Sequence, residues 1–424
     1  MSLVWTLQQH QIVTKTFIRI MDTRLIQPLI YAGRGEANAT GNSRARCGPA
    51  PAAASASPHL SSLSTTAPKI VYATAAGGGH DMPGHAECAA RVPAILNALE
   101  TAGFSDNPQI LQLTDYDLAQ IADLAPVHNP KYLTALDKLC TASTDVAYNL
   151  VDPAPTYITQ TSYLDCLRAA GATMALVDRV VASSMQQAQI GFAICRPPGH
   201  HAVPAGPMGF CLMNNAAVAA RHAQRRHGLQ RIAIVDFDVH HGNGTQDVFY
   251  DDPTVLFIST HQSGSYPNTG KANETGQGDG EGTTINIPLP GLAGHAAACQ
   301  SFEEIVLPAL HRFSPDMIIV SAGYDAHWKD PLAGLQFRSG TYHWLAQQLH
   351  SAANSLCSGR IVFVLEGGYD LMALGESVAC TFAGLLDCSV DCMDSVNASH
   401  LLEEPRDKVA TALLEVKRIH EMLT

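Results

Sequence analysis

The sequence has few cationic side chains, no long apolar run and no closely paired cysteines. Its 26 Lys and Arg against 38 Asp and Glu give a net charge of −12 over 424 residues. This balance argues against direct nucleic-acid binding, which requires a basic surface. A negatively charged protein surface attracts cationic or lysine-rich substrates. No apolar stretch approaches the ~20 residues that cross a bilayer, so we expect no membrane partner.

The 11 cysteines include no C-x-x-C pair. Cys388 and Cys392 come nearest to one, and nothing around them resembles a zinc ribbon. An odd number of scattered cysteines predicts free, mostly buried thiols in a reducing compartment. What the chain does have is an apolar share of 46%, which predicts a globular protein with a substantial core.

Residues 1–66 differ in composition from the rest of the chain. Six Lys or Arg and two acids give this segment a charge of +4, which leaves −16 for the remainder. A leader that is rich in Arg and Ser and poor in acids is typical of an organellar transit peptide, so the sequence predicts a chloroplast or mitochondrial location. The alternative is a disordered tail on a cytoplasmic or nuclear protein.

A single compact domain is predicted over residues 67–424. Alternating strands and helices predict an α/β fold of three α/β/α layers around a mostly parallel central sheet. The predicted strands are 70–74, 190–195, 231–239, 254–260, 316–321 and 361–365, and the predicted helices are 163–185, 212–227, 296–313, 339–356 and 405–422. The Gly-rich stretch 262–283 is too long for a plain connection, which favours a functional rim loop.

Polar motifs directly follow four of the predicted strands. They are Arg-Pro-Pro-Gly-His-His at 196–201, His-His-Gly-Asn-Gly at 240–244, Ala-Gly-Tyr-Asp at 322–325 and Glu-Gly-Gly-Tyr at 366–369. In open α/β sheets, ligands bind at the carboxyl ends of the strands. The motifs therefore predict an active site at that edge of the sheet.

The strand predicted over 231–239 carries the strongest single signal. Because side chains alternate across a strand, Asp236, Asp238 and His240 would share one face. Buried carboxylates need a positive partner. Carboxylates with an imidazole suit a divalent metal such as zinc. A salt-bridged strand end with a solvent-facing histidine pair is the alternative.

A catalytic zinc takes three protein ligands and leaves one position for water. Asp238 and His240 would supply two ligands, and Asp325 is the natural third. The tandem histidines at 200–201 are candidates to take a proton from that water and deliver it to a leaving amine. Tyr369 could hydrogen-bond the developing oxyanion. Together these groups predict metal-assisted amide hydrolysis.

These motifs, in this order, resemble the zinc-dependent histone deacetylases of the arginase/deacetylase fold, from about residue 69 to the C-terminus. At position 243 the chain has Asn, whereas other branches of the family have Asp. In this respect it resembles the class II group. Residues 197–211 and 260–271 look most like plant organellar class II deacetylases and bacterial deacetylase-like amidohydrolases. Ala86 and Asp370 depart from the usual Pro and Asn, at positions without a predicted catalytic role.

The resemblance also implies roles for individual residues. In catalysis it implies the zinc ligands Asp238, His240 and Asp325, the general base and acid His201, the electrostatic partner His200, the orienting residues Asp236 and Asn243, and the oxyanion donor Tyr369. For substrate it implies the carbonyl of Gly209, the channel walls Phe210 and Tyr266, and Leu332 at the channel mouth.

The resemblance further implies potassium ions and an internal channel. A potassium ion would be held by Asp236, Ser259 and the carbonyls of Asp238, His240 and Thr260, and a second one by the backbone of Phe249, Asp252 and Val255. Arg91 would line a channel beneath the site, with a surface charge or an ion pair as the alternative.

The predicted reaction is removal of the acetyl group from the Nε atom of lysine in proteins. The same chemistry on a small acetylated amine stays open. An acetylpolyamine enzyme should carry an acid where Leu332 stands, whereas an arylalkylamine substrate of the N-acetylserotonin type has no such requirement. A weak acetyl-lysine reader would lack Tyr369, and a binuclear manganese hydrolase would need another Asp near 199–201. The same ligands would also accept iron or cobalt. Oligomeric state and acyl-chain preference stay open.

Overall fold

Eight parallel strands form the centre of the part of the chain that the structure describes. The computed structural model describes residues 68–144, 149–151, 154–184, 187–388 and 401–422. The predicted leader, 1–66, lies outside these ranges. Within them, no helix combines the length and the apolar character that crossing a bilayer requires.

The strands and helices alternate along the chain, as expected for an α/β fold. The strands are β1 Ile70–Ala75, β2 Ile110–Leu113, β3 Asn149–Leu150, β4 Tyr157–Ile158, β5 Ile190–Cys195, β6 Ile232–Asp236, β7 Val255–Gln262, β8 Thr284–Leu289, β9 Met317–Ala322 and β10 Ile361–Leu365. The helices are α1 Arg91–Thr101, α2 Ile121–Leu124, α3 Pro130–Ala142, α4 Ser162–Ala182, α5 Asn215–His227, α6 Asn243–Phe249, α7 His295–Ser301, α8 Leu307–Phe313, α9 Ser339–Cys357, α10 Leu371–Leu385 and α11 Arg406–Ile419. A π-helical turn, Phe302–Val306, joins α7 to α8.

The order of the strands across the sheet brings the polar motifs together. The order is β2-β1-β5-β10-β9-β6-β7-β8, and each neighbouring pair is parallel. The four strands followed by motifs, β5, β10, β9 and β6, are therefore consecutive neighbours. Their carboxyl ends form one continuous edge, where ligands bind in such sheets.

Two apolar layers cover the two faces of the sheet. On β10, Ile361 and Phe363 pack with helices α1, α9 and α10, whereas Val362 and Val364 pack with α4 and α5. All four side chains are fully buried, and each contributes about 1.5–3 kcal/mol by leaving water. The predicted α/β class, the three layers and the mostly parallel sheet are confirmed.

The largest difference from the predicted elements lies at the end of β6. The strand predicted over 231–239 ends at Asp236. Asp236 Oδ1 accepts the N–H of Asp238 (3.1 Å), and Asp238 Oδ1 accepts the N–H of His240 (2.8 Å). Carboxylates that capture the N–H two residues ahead compete with strand pairing. The prediction that Asp238 and His240 lie on the strand is therefore wrong.

Several short or uniformly buried strands and helices of the structure were not predicted from the sequence. They include β2, β8, α3 and α10. Twelve of the 15 residues of Leu371–Leu385 are buried, so this helix has no polar face to produce an amphipathic period. By contrast, both ends of α5 carry residues that commonly cap helices. The side chain of Asn214 accepts the N–H of Ala217 (2.9 Å) at the start, and Gly228 adopts the left-handed conformation (φ 69°) at the end.

Candidate active site

Three side chains from two strand ends bring their ligand atoms together. His240 Nδ1 lies 3.1 Å from Asp238 Oδ1 and 3.1 Å from Asp325 Oδ2. All three ligand atoms lie within 4.8 Å of one another. Asp238 and His240 follow β6, and Asp325 follows β9, its neighbour in the sheet.

Backbone N–H groups fix both carboxylates. Asp238 Oδ2 accepts the N–H of Gly367 (2.9 Å), and Asp325 Oδ1 accepts the N–H of Val239 (2.9 Å). The glycines are required here because a Cβ on Gly367 would lie 2.1 Å from Asp325 Oδ2, and one on Gly323 would lie 2.0 Å from Asp238 Oδ2. The backbone thus reserves the space around these oxygens.

The electrostatics of this cluster favour a cation. Asp238 is 0% exposed and Asp325 is 1% exposed. Burial raises the pKa of Asp325, and the adjacent Asp238 carboxylate raises that pKa further. Two carboxylates and one imidazole in a dry pocket are donors that zinc accepts. The residues present therefore fit a divalent metal ion.

His200 lies beside the acidic cluster and is held by Asp236. Its Nδ1 lies 3.0 Å from Asp236 Oδ2, and its Nε2 lies 3.8 Å from Asp238 Oδ2. Burial by itself would lower the pKa of His200, but the Asp238 and Asp236 carboxylates outweigh it and raise that pKa well above the ordinary value. His200 is therefore suited to carry positive charge.

His201 has the opposite character because its partner is an amide. Its Nδ1 lies 2.7 Å from Asn243 Oδ1. An amide oxygen only accepts, so Nδ1 carries the proton and Nε2 keeps its lone pair. Burial and the positive charges of His200 and His240 lower the pKa of His201 well below the ordinary value. A neutral imidazole with a free Nε2 can act as a base.

Tyr369 lies in a short loop after β10 and is held through its backbone and its ring. Its N–H donates to Asp330 Oδ2 (2.7 Å). The guanidinium of Arg91 lies 5.2 Å from the ring centroid, and Phe210 meets the ring edge-on at 5.8 Å. Burial raises the pKa of Tyr369 well above its ordinary value, and the nearby Asp325 carboxylate adds to this effect. The phenol is therefore a neutral hydrogen-bond donor.

Two of the four residues predicted to contact substrate, Gly209 and Tyr266, lie against His201. Tyr266 meets the His201 ring edge-on at 5.1 Å. Gly209 has a φ of 53°, and a Cβ there would lie 2.4 Å from the His201 ring and 2.8 Å from Tyr266. Phe210 follows it at φ 69°. Leu332 lies outside this group and is 40% exposed. Tyr266 belongs to the stretch 262–283, which thus contributes to the site.

The side chains predicted to hold the first potassium ion lie on neighbouring strands, and one of them, Asp236, also contacts His200. Asp236 pairs in register with Ser259 on β7 and with Ser321 on β9. Asp236 and Ser259 are fully buried, and Thr260 is 3% exposed. The hydroxyl of Thr260 is buried without a hydrogen-bond partner. The potassium ion itself stays a prediction.

Glu366 and Asp330 have positions in the site that the sequence did not reveal. Glu366 Oε2 accepts the N–H groups of Gly199 (2.6 Å) and His200 (3.1 Å). Burial raises the pKa of Glu366 to about 7. Asp330 receives the N–H of Tyr369 on one oxygen and that of Leu332 on the other (3.0 Å). Glu366 belongs to the Glu-Gly-Gly-Tyr motif at 366–369, whereas none of the four motifs contains Asp330.

Arg91 belongs to a buried ion network beneath Tyr369. It donates to the carbonyls of Gly368 (2.7 Å) and Glu366 (2.5 Å) and to Glu87 Oε1 (3.2 Å). Arg196 also pairs with Glu87, and its Nη2 donates to Glu87 Oε2 at 2.7 Å. All three charged groups are fully buried. Arg91 is therefore part of a buried ion pair and not a surface charge, and the channel stays a prediction.

The chain is similar to known deacetylases over most of its length. The family model of the histone deacetylase domain matches residues 85–385. "Histone deacetylase 14, chloroplastic" of Arabidopsis thaliana is 51% identical over 359 residues, which cover 83% of this chain and 85% of that protein. "Histone deacetylase-like amidohydrolase" of Pseudomonas aeruginosa is 39% identical over 287 residues, 68% of this chain and 73% of that one.

Two further similarities bear on substrate and fold. "Polyamine deacetylase HDAC10" of Mus musculus is 37% identical over 308 residues, which cover 71% of this chain and 45% of that protein. The solved structure of the HDA15 HD domain superposes with a TM-score of 0.73 at 32% identity and covers 84% of this chain and 94% of its own. The similar proteins thus bear the names of both histone and polyamine deacetylases.

Proposed function

The chain belongs to the histone deacetylase family, and on that basis we propose that it is a zinc-dependent amidohydrolase that removes acetyl groups from the Nε atom of lysine in proteins. The observation that carries this proposal is the convergence of Asp238, His240 and Asp325 on one point beside the neutral base His201. Three ligands, a base and an oxyanion donor are the parts that metal-assisted amide hydrolysis requires.

Zinc held by Asp238, His240 and Asp325 would polarise the acetamide carbonyl and lower the pKa of water to about 7. His201 receives the water proton on Nε2, because Asn243 occupies Nδ1, and later delivers it to the departing lysine amine. His200, held by Asp236, supplies positive charge near the developing oxyanion.

The remaining residues bind the substrate and assist the oxyanion. The Tyr369 hydroxyl donates a hydrogen bond to the carbonyl oxygen as negative charge develops on it. The Gly209 carbonyl accepts the amide N–H of the substrate. Phe210 and Tyr266 form walls for the aliphatic part of the acyl-lysine, and Leu332 lies at the mouth.

Two potassium sites complete the proposed cofactors. Asp236, Ser259 and the carbonyls of Asp238, His240 and Thr260 would hold the first ion. The backbone of Phe249, Asp252 and Val255 would hold the second one. Asp236 and Ser259 face each other on neighbouring strands and are both fully buried, and this buried carboxylate beside a hydroxyl supports a cation there.

Turnover of a substrate panel tests the proposed reaction. We expect the purified enzyme to show its highest kcat/KM on Nε-acetyl-lysine peptides, compared with an acetylated polyamine and an N-acetylated arylalkylamine. Asp238→Ala should lose turnover and bind one zinc fewer per chain than the wild type, whereas Cys388→Ser on the exposed surface should match the wild type in both. A preference of more than tenfold for either small amine would overturn the protein substrate, and a zinc count in Asp238→Ala equal to that of the wild type would overturn the ligand set.

A small acetylated amine is the second candidate, favoured by the similarity to a polyamine deacetylase. The mouth argues against an acetylpolyamine, because Leu332 offers no charge to a distal cation. Asp330 lies two residues away but is 7% exposed and accepts two backbone N–H groups. An acetylated arylalkylamine has no distal cation and fits the apolar mouth better.

We also propose that residues 67–424 form the catalytic domain and that residues 1–66 act as a transit peptide. The similarity to a protein named as chloroplastic and the composition of the leader support a plastid location, with the mitochondrion as the alternative. A fluorescent fusion of residues 1–66 should enter an organelle. A diffuse cytosolic signal would refute the targeting role.

A further inference from the structure

A second cluster of possible metal ligands lies on helices α4 and α5, outside the site described above. Asp178 belongs to α4, and His222 and His227 belong to α5. Asp178 Oδ1 lies 2.7 Å from His222 Nε2 and 2.6 Å from His227 Nε2. One carboxylate oxygen thus lies within hydrogen-bond distance of the Nε2 atom of each of the two imidazoles.

The cluster is open to ions from solution. The side chain of Asp178 is 49% exposed, and those of His222 and His227 are 12% and 20% exposed. The two rings stand edge to face, with their centroids 5.7 Å apart. All three ligand atoms lie within 4.8 Å of one another. The helices supply a fixed frame, and one face of the cluster stays accessible to water.

We propose that Asp178, His222 and His227 form a second zinc-type metal site, distinct from the catalytic centre. Two imidazole nitrogens and one carboxylate oxygen are a common ligand set for Zn²⁺, with water in the remaining position. Imidazole donors select against Ca²⁺ and Mg²⁺, which prefer oxygen ligands. The inference does not depend on the proposed deacetylase reaction.

Only a small movement converts the hydrogen-bonded cluster into a metal site. With zinc–ligand bonds of about 2.0–2.2 Å at tetrahedral angles, neighbouring ligand atoms lie about 3.3–3.5 Å apart. Each nitrogen must therefore move less than about 1 Å away from Asp178 Oδ1. Rotation of the partly exposed Asp178 side chain increases these two distances, and small rotations of the two imidazole side chains bring their nitrogens, which lie within 4.8 Å of each other, to the same spacing.

A bound ion would join two helices of the same layer. Both α4 and α5 pack on one face of the sheet, and His227 is the last residue of α5 before Gly228 turns the chain. A metal ion at the end of α5 would hold that end against α4. Binding to the folded state alone raises its stability by mass action, so zinc should raise the melting temperature through this site.

Zinc stoichiometry tests the proposal by difference. The full chain is dialysed against excess ZnCl2, and zinc is counted by elemental analysis. We expect His227→Gln and Asp178→Asn each to bind one zinc fewer per chain than the wild type. His311→Gln, which changes an exposed histidine on α8, should bind the same number as the wild type. The difference is independent of whether the catalytic centre is loaded.

Thermal unfolding gives a second readout. A hundredfold excess of zinc over its dissociation constant should raise the melting temperature of His311→Gln by a few degrees more than that of His227→Gln. Equal zinc counts in His227→Gln and the wild type would overturn the proposal and leave a plain hydrogen-bonded cluster. Because Asp178 is half exposed, Asp178→Asn should fold, and an unchanged zinc count in that variant would likewise overturn it.

Discussion

Replacing Tyr369 with Phe removes one hydroxyl and leaves the rest of the residue in place. The backbone N–H keeps its bond to Asp330 Oδ2 (2.7 Å). The ring keeps Arg91 at 5.2 Å from its centroid and Phe210 at 5.8 Å. None of these contacts uses the phenolic oxygen. We therefore expect zinc content and the free energy of unfolding to stay close to the wild-type values.

The loss should appear in kcat. Burial, with Asp325 nearby, raises the pKa of Tyr369 well above its ordinary value, so the hydroxyl is a neutral donor throughout the workable pH range. Loss of one oxyanion donor lowers kcat by about 10²–10³, or about 2.7–4 kcal/mol of transition-state stabilisation. The bond forms mainly in the transition state, so KM should change little. The shape of the pH profile should not change.

Steady-state kinetics on an Nε-acetyl-lysine peptide between pH 6 and 9 would measure these effects, with zinc counted on the same samples. Tyr72→Phe is the matched control, since Tyr72 lies on β1 and packs against Phe382 at 6.0 Å, remote from the ligand cluster. That variant should retain wild-type kcat. Activity of Tyr369→Phe within threefold of wild type would remove Tyr369 from the mechanism.

Two further predictions concern residues that hold the site. Asp330→Asn should lower kcat about tenfold without loss of zinc, because an amide has one oxygen to accept the two backbone N–H groups, of Leu332 and Tyr369, that the two carboxyl oxygens now accept; unchanged kcat would show that Asp330 does not position Tyr369. Glu87→Gln should destabilise the fold by about 3–5 kcal/mol, since it leaves the buried Arg91 and Arg196 without their carboxylate. Although burial opposes it, Arg196 lowers the pKa of Glu87 to about 2. This contribution is therefore complete above the ordinary pKa of about 4.5 and is lost as pH falls toward 2. Urea unfolding at pH 7 and pH 4 measures it, and a loss below 1 kcal/mol at pH 7 would contradict the reasoning.

Local chemistry determined much of what the sequence could predict. Continuous apolar runs such as Ile361–Leu365 indicate strands that are buried on both faces, and the structure places a strand there. The motifs after these strands contain His240 and Asp325 of the candidate ligand cluster, and Asp238 lies within the predicted strand 231–239. The helix predicted over 212–227 ends at His227 in the structure, before Gly228 in its left-handed conformation, and begins at Asn215 rather than at 212 because Asn214 caps it.

The sequence alone was less informative where several parts of the chain meet. The strand predicted over 231–239 ends early because Asp236 and Asp238 capture the N–H groups of their own loop. Leu371–Leu385 is buried almost all round, so its helix has no period to detect. The surface pair of His222 and His227 is unremarkable in the sequence until α4 brings Asp178 to it.

The sequence by itself determined which functional groups the site can use, because it shows which carboxylates and imidazoles follow each strand. Only the tertiary structure decided their arrangement, because the strand order β5-β10-β9-β6 places four separate loops at one edge. It also decided that His200 faces carboxylates whereas His201 faces an amide. Adjacent and identical in the sequence, these two histidines differ in their affinity for a proton because their charged neighbours come from distant parts of the chain.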